Sequence, residues 1–70
     1  MKFKVKGIAM NRLTRNQIGK SRIETIDTKT NKLFFGATSP IEVERRYESF
    51  WNNLNPNSQE IVKVIDVRKV

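Results

Sequence analysis

Residues 39–54 read Ser-Pro-Ile-Glu-Val-Glu-Arg-Arg-Tyr-Glu-Ser-Phe-Trp-Asn-Asn-Leu. Ser39 before Pro40, with Glu42 three positions on, is a capping box with proline in the first turn. Val43, Tyr47, Phe50, Trp51 and Leu54 then recur at helical spacing as one apolar stripe. Glu42, Arg45, Arg46, Glu48, Asn52 and Asn53 fall off the stripe, and Glu42 stands four residues before Arg46, where opposite charges meet. Asn55-Pro56 ends the helix, because the residue before a proline resists the α conformation. A helix of this kind needs an apolar sheet beneath it, so the stripe of Tyr47, Phe50 and Trp51 reads as core rather than as an exposed recognition face.

The flanking segments supply strands. At the N-terminus Phe3 and Val5 alternate with Lys2, Lys4 and Lys6, the pattern of a half-buried strand. Past Gly7 the phase breaks, since Ile8 and Met10 share the parity of the lysines. A bulge at Gly7 would return all four apolar side chains to one face. Residues 11–20 are polar and basic, without a clean period, and read as a long connecting loop. Ser21 to Thr28 form a second strand, Asp27 to Lys32 carry hairpin-turn chemistry, and Lys32 to Ala37 form a third strand. In that third strand Leu33, Phe35 and Ala37 share one face and Phe34 takes the other. Glu60 to Val70 form the last strand, apolar on both faces of its middle, which predicts a central position. A right-handed crossover would place it parallel to the first strand. The expected fold is α+β: a single-layer, mainly antiparallel sheet in the order β-β-β-α-β, with one amphipathic helix on one face. Residues 1–70 form one domain.

Composition narrows the chemistry. A chain this short buries only about 60% of its unfolded surface, so its core is small. It has no cysteine and no histidine. That removes disulfides, the usual zinc ligands, the common general base and the best thiol nucleophile. Ser39 serves as a cap, and Glu42, Glu44 and Glu48 read as a solvated helix face. Gly19-Lys20-Ser21 echoes the end of a phosphate-binding loop, but Thr14 stands where that motif needs glycine, and a strand follows where it needs a helix. The expectation is a non-enzymatic protein with no metal and no cofactor. No apolar run approaches the roughly 18 residues of a membrane span, and the N-terminus lacks a signal-peptide block, so a cytoplasmic protein without a membrane partner is expected.

The net charge is +7, and its distribution matters more than its size. Residues 1–32 hold nine Lys and Arg against Glu24 and Asp27, whereas residues 33–70 hold five bases and five acids. Such asymmetry suggests one electropositive surface and so an anionic partner, the alternative being surplus lysine that serves solubility alone. Lys2, Lys4 and Lys6 project together from one strand face. Arg12, Arg15, Lys20 and Arg22 lie close enough in sequence to extend a phosphate-tracking surface. Thr14, Asn16 and Gln17 offer further hydrogen bonds, and Phe34, turned away from the helix, offers a stacking surface. The bland explanation of the lysine row is an edge strand guarded by charge. RNA is favoured over DNA because no helix carries a basic face. The alternative is a small protein-interaction module, such as a subunit linker or a phage-encoded inhibitor of host machinery, docking on an acidic protein surface. Phe34, Val62 and Val64 would then form an apolar interface on the open side of the sheet, one that also suits a homodimer.

Two partial likenesses accompany this reading. Phe3-Lys4-Val5-Lys6-Gly7 and Ala37-Thr38-Ser39-Pro40-Ile41-Glu42-Val43-Glu44 resemble the small archaeal ribosomal protein LX family, which implies an RNA-bound part of a large subunit. That family's basic Gly-Ser-x-His segment is replaced here by Asn55-Pro56-Asn57-Ser58. The ending, with Tyr47-Glu48 and Ile61-Val62-Lys63-Val64, is similar to the small linker proteins of phycobilisomes, but lacks their glycine pair before the last strand. No family is assigned from either.

Overall fold

The computed structural model describes residues 1–54 and 56–70. β1 (Lys2–Asn11) and β2 (Gln17–Asp27) form a hairpin, a 3-10 turn covers Lys32–Phe34, α1 spans Pro40–Leu54, and β3 spans Glu60–Lys69. The strands make one sheet in the order β2-β1-β3, with both pairings antiparallel. The class is therefore α+β, with an open antiparallel sheet and one helix. The expected helix stop at Asn55 lies outside the described residues.

The helix begins as its sequence dictates. Ser39 Oγ accepts from the Glu42 N–H at 3.3 Å, and the Glu42 carboxylate receives the hydroxyls of Ser39 and Thr38, each at 3.4 Å. Val43 and Tyr47 are buried against the sheet, while Phe50 and Trp51 are half-buried. Leu54, expected in the stripe, is 61% exposed. The core gathers Phe3, Val5, Ile26, Phe34, Ala37, Val43, Tyr47 and Val64, with Trp51, Val62 and Val67 packed against it. Burying an aromatic or branched side chain of this size contributes about 1.5–3 kcal/mol.

Four expectations need correction. Residues 11–20 are not a long loop: Asn11 builds a tight turn, its side-chain oxygen accepting from the N–H groups of Leu13 at 2.9 Å and Thr14 at 3.0 Å. β2 starts at Gln17 as a result. The third strand does not form. Asn31 Oδ1 accepts from Leu33 N, Ala37 N donates to Phe34 O at 3.0 Å, and Gly36 adopts φ 80°. Phe34 and Ala37, three residues apart, thus turn inward together, whereas Phe35 is 70% exposed. Losing that strand removes one reversal of the chain, so β3 runs antiparallel to β1 and parallel to β2. β3 is also an edge, not a central strand.

Its apolar residues on both faces have a different origin. Register shifts between Lys6 and Gly7 toward β3, and between Gly7 and Ala9 toward β2. The irregularity falls at Gly7 as expected, but the extra residues sit in the partner strands. β3 changes face near Ile65, so Val62 and Val64 precede it and Val67 follows it on the helix side. β1 keeps its alternation, which leaves Ile8 and Met10 on the lysine face and puts Ala9, opposite Val62, under the helix. The Tyr47 ring covers Gly7, its Cε1 standing 3.5 Å from where a Cβ would be.

α1 packs chiefly on β3 and closes that edge. Asn52 Nδ2 donates to Val62 O at 3.3 Å, Val62 N donates to Asn52 Oδ1 at 2.8 Å, and Val64 N donates to Glu48 Oε2 at 2.8 Å. One turn of helix supplies the partners that another strand would give. The turn at Phe34 generates a direct check. Phe34→Ala should destabilise the protein by about 3–5 kcal/mol in urea unfolding, while Phe35→Ala should change stability by less than about 0.5 kcal/mol. Equal losses at the two positions would restore the strand.

Candidate functional site

The face of the sheet away from α1 carries the lysine row. Alternate residues of a strand stand about 6.8 Å apart on one side, so Lys2, Lys4 and Lys6 form a regular line along β1. Lys4 lies opposite Thr25 of β2 and Arg68 of β3; Lys6 lies opposite Ile23 and Asp66. Lys4, Lys6, Ile23, Asp66 and Arg68 surround one shallow depression. Within it Arg68 Nε donates to Asp66 Oδ2 at 2.8 Å. Lys2, Lys4, Lys6 and Arg68 therefore outnumber Asp27 and Asp66 on this face. Lys63, opposite Ile8, bends to within 3.8 Å of Glu48.

The other predicted bases lie elsewhere. Lys20 and Arg22 line a cleft on the helix side with Gly7, Ala9, Tyr47, Trp51 and Val62, and Arg22 Cζ stacks 5.1 Å from the centre of the Trp51 ring. Arg12 and Arg15 are exposed at the hairpin tip, and Arg15 holds φ 64°, a left-handed conformation uncommon outside glycine and asparagine. The seven bases are thus divided among a sheet face, a cleft and a turn. The sequence reading missed Arg68. Its signal was the antiparallel register of β3, which the lost third strand concealed.

The expected interface of Phe34, Val62 and Val64 is corrected by burial. Phe34 is 3% exposed and Val64 is 4% exposed, both in the core, and Val62 packs against it. None offers a stacking or docking surface on the open face, where the apolar side chains instead include Ile8, Met10 and Ile23. The loop donors are also engaged locally: Asn16 N donates to Thr14 Oγ1 at 3.3 Å, and Gln17 Nε2 donates to Gly19 O at 3.0 Å. Among the described residues no group of three or more Asp or Glu side chains is placed to hold a metal ion, and no helix is long and apolar enough to cross a membrane. Compared with known protein families, with curated proteins and with solved structures, the chain matches none.

Tyr47 couples the cleft to the core. Burial raises its hydroxyl pKa, and the charge of Glu24 adds to the rise, while Trp51 and Arg22 pull it partly back. A raised folded-state pKa means the neutral phenol is favoured in the native protein. Its stability contribution is complete below the unfolded value near 10 and is lost as pH climbs through the folded value. Urea unfolding at a series of alkaline pH values should show that loss, and Tyr47→Phe should abolish the part due to this residue. A wild-type profile identical to that of the phenylalanine variant above pH 10 would contradict it.

Proposed function

We propose that the chain is a non-catalytic nucleic-acid-binding module, with RNA favoured over DNA, that lays the open face of its sheet on phosphates. The supporting observation is the place of the lysine row. β1 is the middle strand, hydrogen-bonded on both sides, so Lys2, Lys4 and Lys6 guard no edge. The edge-protection explanation of the row has no purchase on a central strand. The reading is supported by a line of bases on the solvent-facing side of the sheet, with Arg68 as a neighbour, which suits phosphate neutralisation.

Two features refine the ligand. α1 carries Glu42, Glu44 and Glu48 against Arg45 and Arg46 and commits its apolar side to the core, which leaves it ill suited to major-groove reading. The open face lacks the Phe34 ring that stacking on unpaired bases would use. A base-paired RNA, contacted by shape and phosphates, fits better than a single strand. Arg12 and Arg15 at the tip are placed to extend such contacts beyond the sheet.

Fluorescence anisotropy against structured RNA, single-stranded RNA and duplex DNA at several salt concentrations tests this reading. Structured RNA should bind tightest, and replacing Lys4 and Lys6 with Ala should reduce the magnitude of the log–log salt slope by about one for each lysine that contacts phosphate. Weak binding, equal for all three ligands and unchanged by those substitutions, would sink the proposal. It would turn attention to an acidic protein surface as the partner.

A further inference from the structure

The sheet has two edges, and the protein treats them differently. Asn52 and Glu48 close β3, as described above. Gln17 Nε2 occupies the Gly19 carbonyl and the following turn occupies that of Asp27, but between them, from Ser21 to Thr25, the outer edge of β2 is open. Thr28 N donates to Met1 O at 2.9 Å, and the register pairs Phe3 with Ile26, Val5 with Glu24 and Gly7 with Arg22. In an antiparallel ladder hydrogen-bonded pairs alternate, so Ile26, Glu24 and Arg22 direct their backbone groups to β1. Ile23 and Thr25 direct theirs outward, and among the described residues nothing bonds them. Ile23 is also 57% exposed, an apolar side chain standing beside an unpaired backbone. Such an edge is a template for another strand.

We propose that this strand is β2 of a second copy of the chain, paired antiparallel about a two-fold axis at Ile23. Charge complementarity selects both the occupant and the register. With Ile23 opposite the partner's Ile23, the outward backbone groups of Ile23 bond reciprocally, and Arg22 falls opposite the partner's Glu24. The symmetry repeats the pair, so two ion pairs form across the seam. Both lie at non-hydrogen-bonded positions, where facing side chains are closest. Ile23 meets its own copy on the opposite face. Neighbouring symmetric registers lack this match. A shift to Ser21 sets Arg22 against the partner's Lys20, a centre at Arg22 sets that arginine against itself, and a centre at Glu24 opposes two glutamates.

The architecture accommodates the dimer. α1 sits over β3, at the far side of the sheet, so the two helices stay clear of the seam. Arg22 already sits over the Trp51 ring, its Cζ 5.1 Å from the ring centre, which keeps its guanidinium on the face where the partner's carboxylate would arrive. The two sheets would join into one, with both lysine rows on a common face. The inference stands on the edge of β2 alone and is independent of what the open face binds.

Sedimentation velocity over a dilution series, on the full chain, tests it. Wild-type protein should sediment as a dimer that dissociates on dilution. Arg22→Glu and Glu24→Arg each place like charges across both pairs, so each alone should weaken dimerisation by about tenfold or more. Mixing the two variants in equal amounts restores opposite charges at both positions, and the mixture should sediment as a heterodimer. A wild-type chain monomeric throughout, a dimer indifferent to both substitutions, or a mixture of folded variants that stays monomeric would each overturn the proposal. If either variant fails to fold, hydrogen exchange of the wild type decides: the Ile23 and Thr25 amides should gain protection as concentration rises. Free exchange of those amides in the dimer would equally overturn it.

Discussion

The structure hangs on the pairing of β1 with a strand on each side. Its odd residues bond to β2 and its even residues to β3, as the contacts of Met1 with Thr28 and of Lys2 with Val70 show at the N-terminal end. A central strand has no freedom of register, because a slip by one residue would send Phe3 and Val5 to water and lysines under the helix. Phe3 and Val5 are both fully buried, so that slip is strongly disfavoured. Everything else follows from this fixed strand: the helix settles over its apolar side, and the lysines have only the solvent side to occupy.

The small size of the domain explains how the remaining polar groups are handled. With 15 residues of helix over three strands, the protein cannot cover both sheet edges with further strands. It closes β3 with two side chains four residues apart on α1, and the Asn52 amide both donates to and accepts from Val62 as a peptide would. The register irregularities toward both neighbouring strands fall at Gly7, and the Tyr47 ring lies against it, 3.5 Å from where a Cβ would be. Tyr47 then links Phe34 on one side to Trp51 on the other, with ring centres 6.4 Å and 6.3 Å away. Trp51 in turn carries Arg22, so the cleft is an extension of the core.

Much of this was legible in the residues. The cap at Ser39, the stripe through Val43 and Tyr47, the alternation of β1 and the irregularity at Gly7 are local signals, and local signals of that strength survive folding. The segment from Lys32 to Ala37 was not legible as a turn, because Phe34 and Ala37 at a spacing of three are masked by Leu33, Phe35 and Ala37 at a spacing of two. Choosing between those periods depends on whether a third neighbour for the sheet exists, which is a tertiary matter. That one choice reversed β3 and hid Arg68 from the lysine row. The bases were visible as a group, but their division among face, cleft and tip is a property of strand parity across bulges, which composition does not carry.

The central claim is that one side of β1 is given to packing and the other to an anionic partner. Amide chemical-shift mapping during titration with a structured RNA tests it most directly, since every strand residue reports separately. The account predicts that the largest perturbations fall on Lys2, Lys4, Lys6, Ile23 and Arg68, with α1 little changed. Perturbations concentrated on α1, or on the cleft between Arg22 and Trp51 with the lysine row silent, would contradict it.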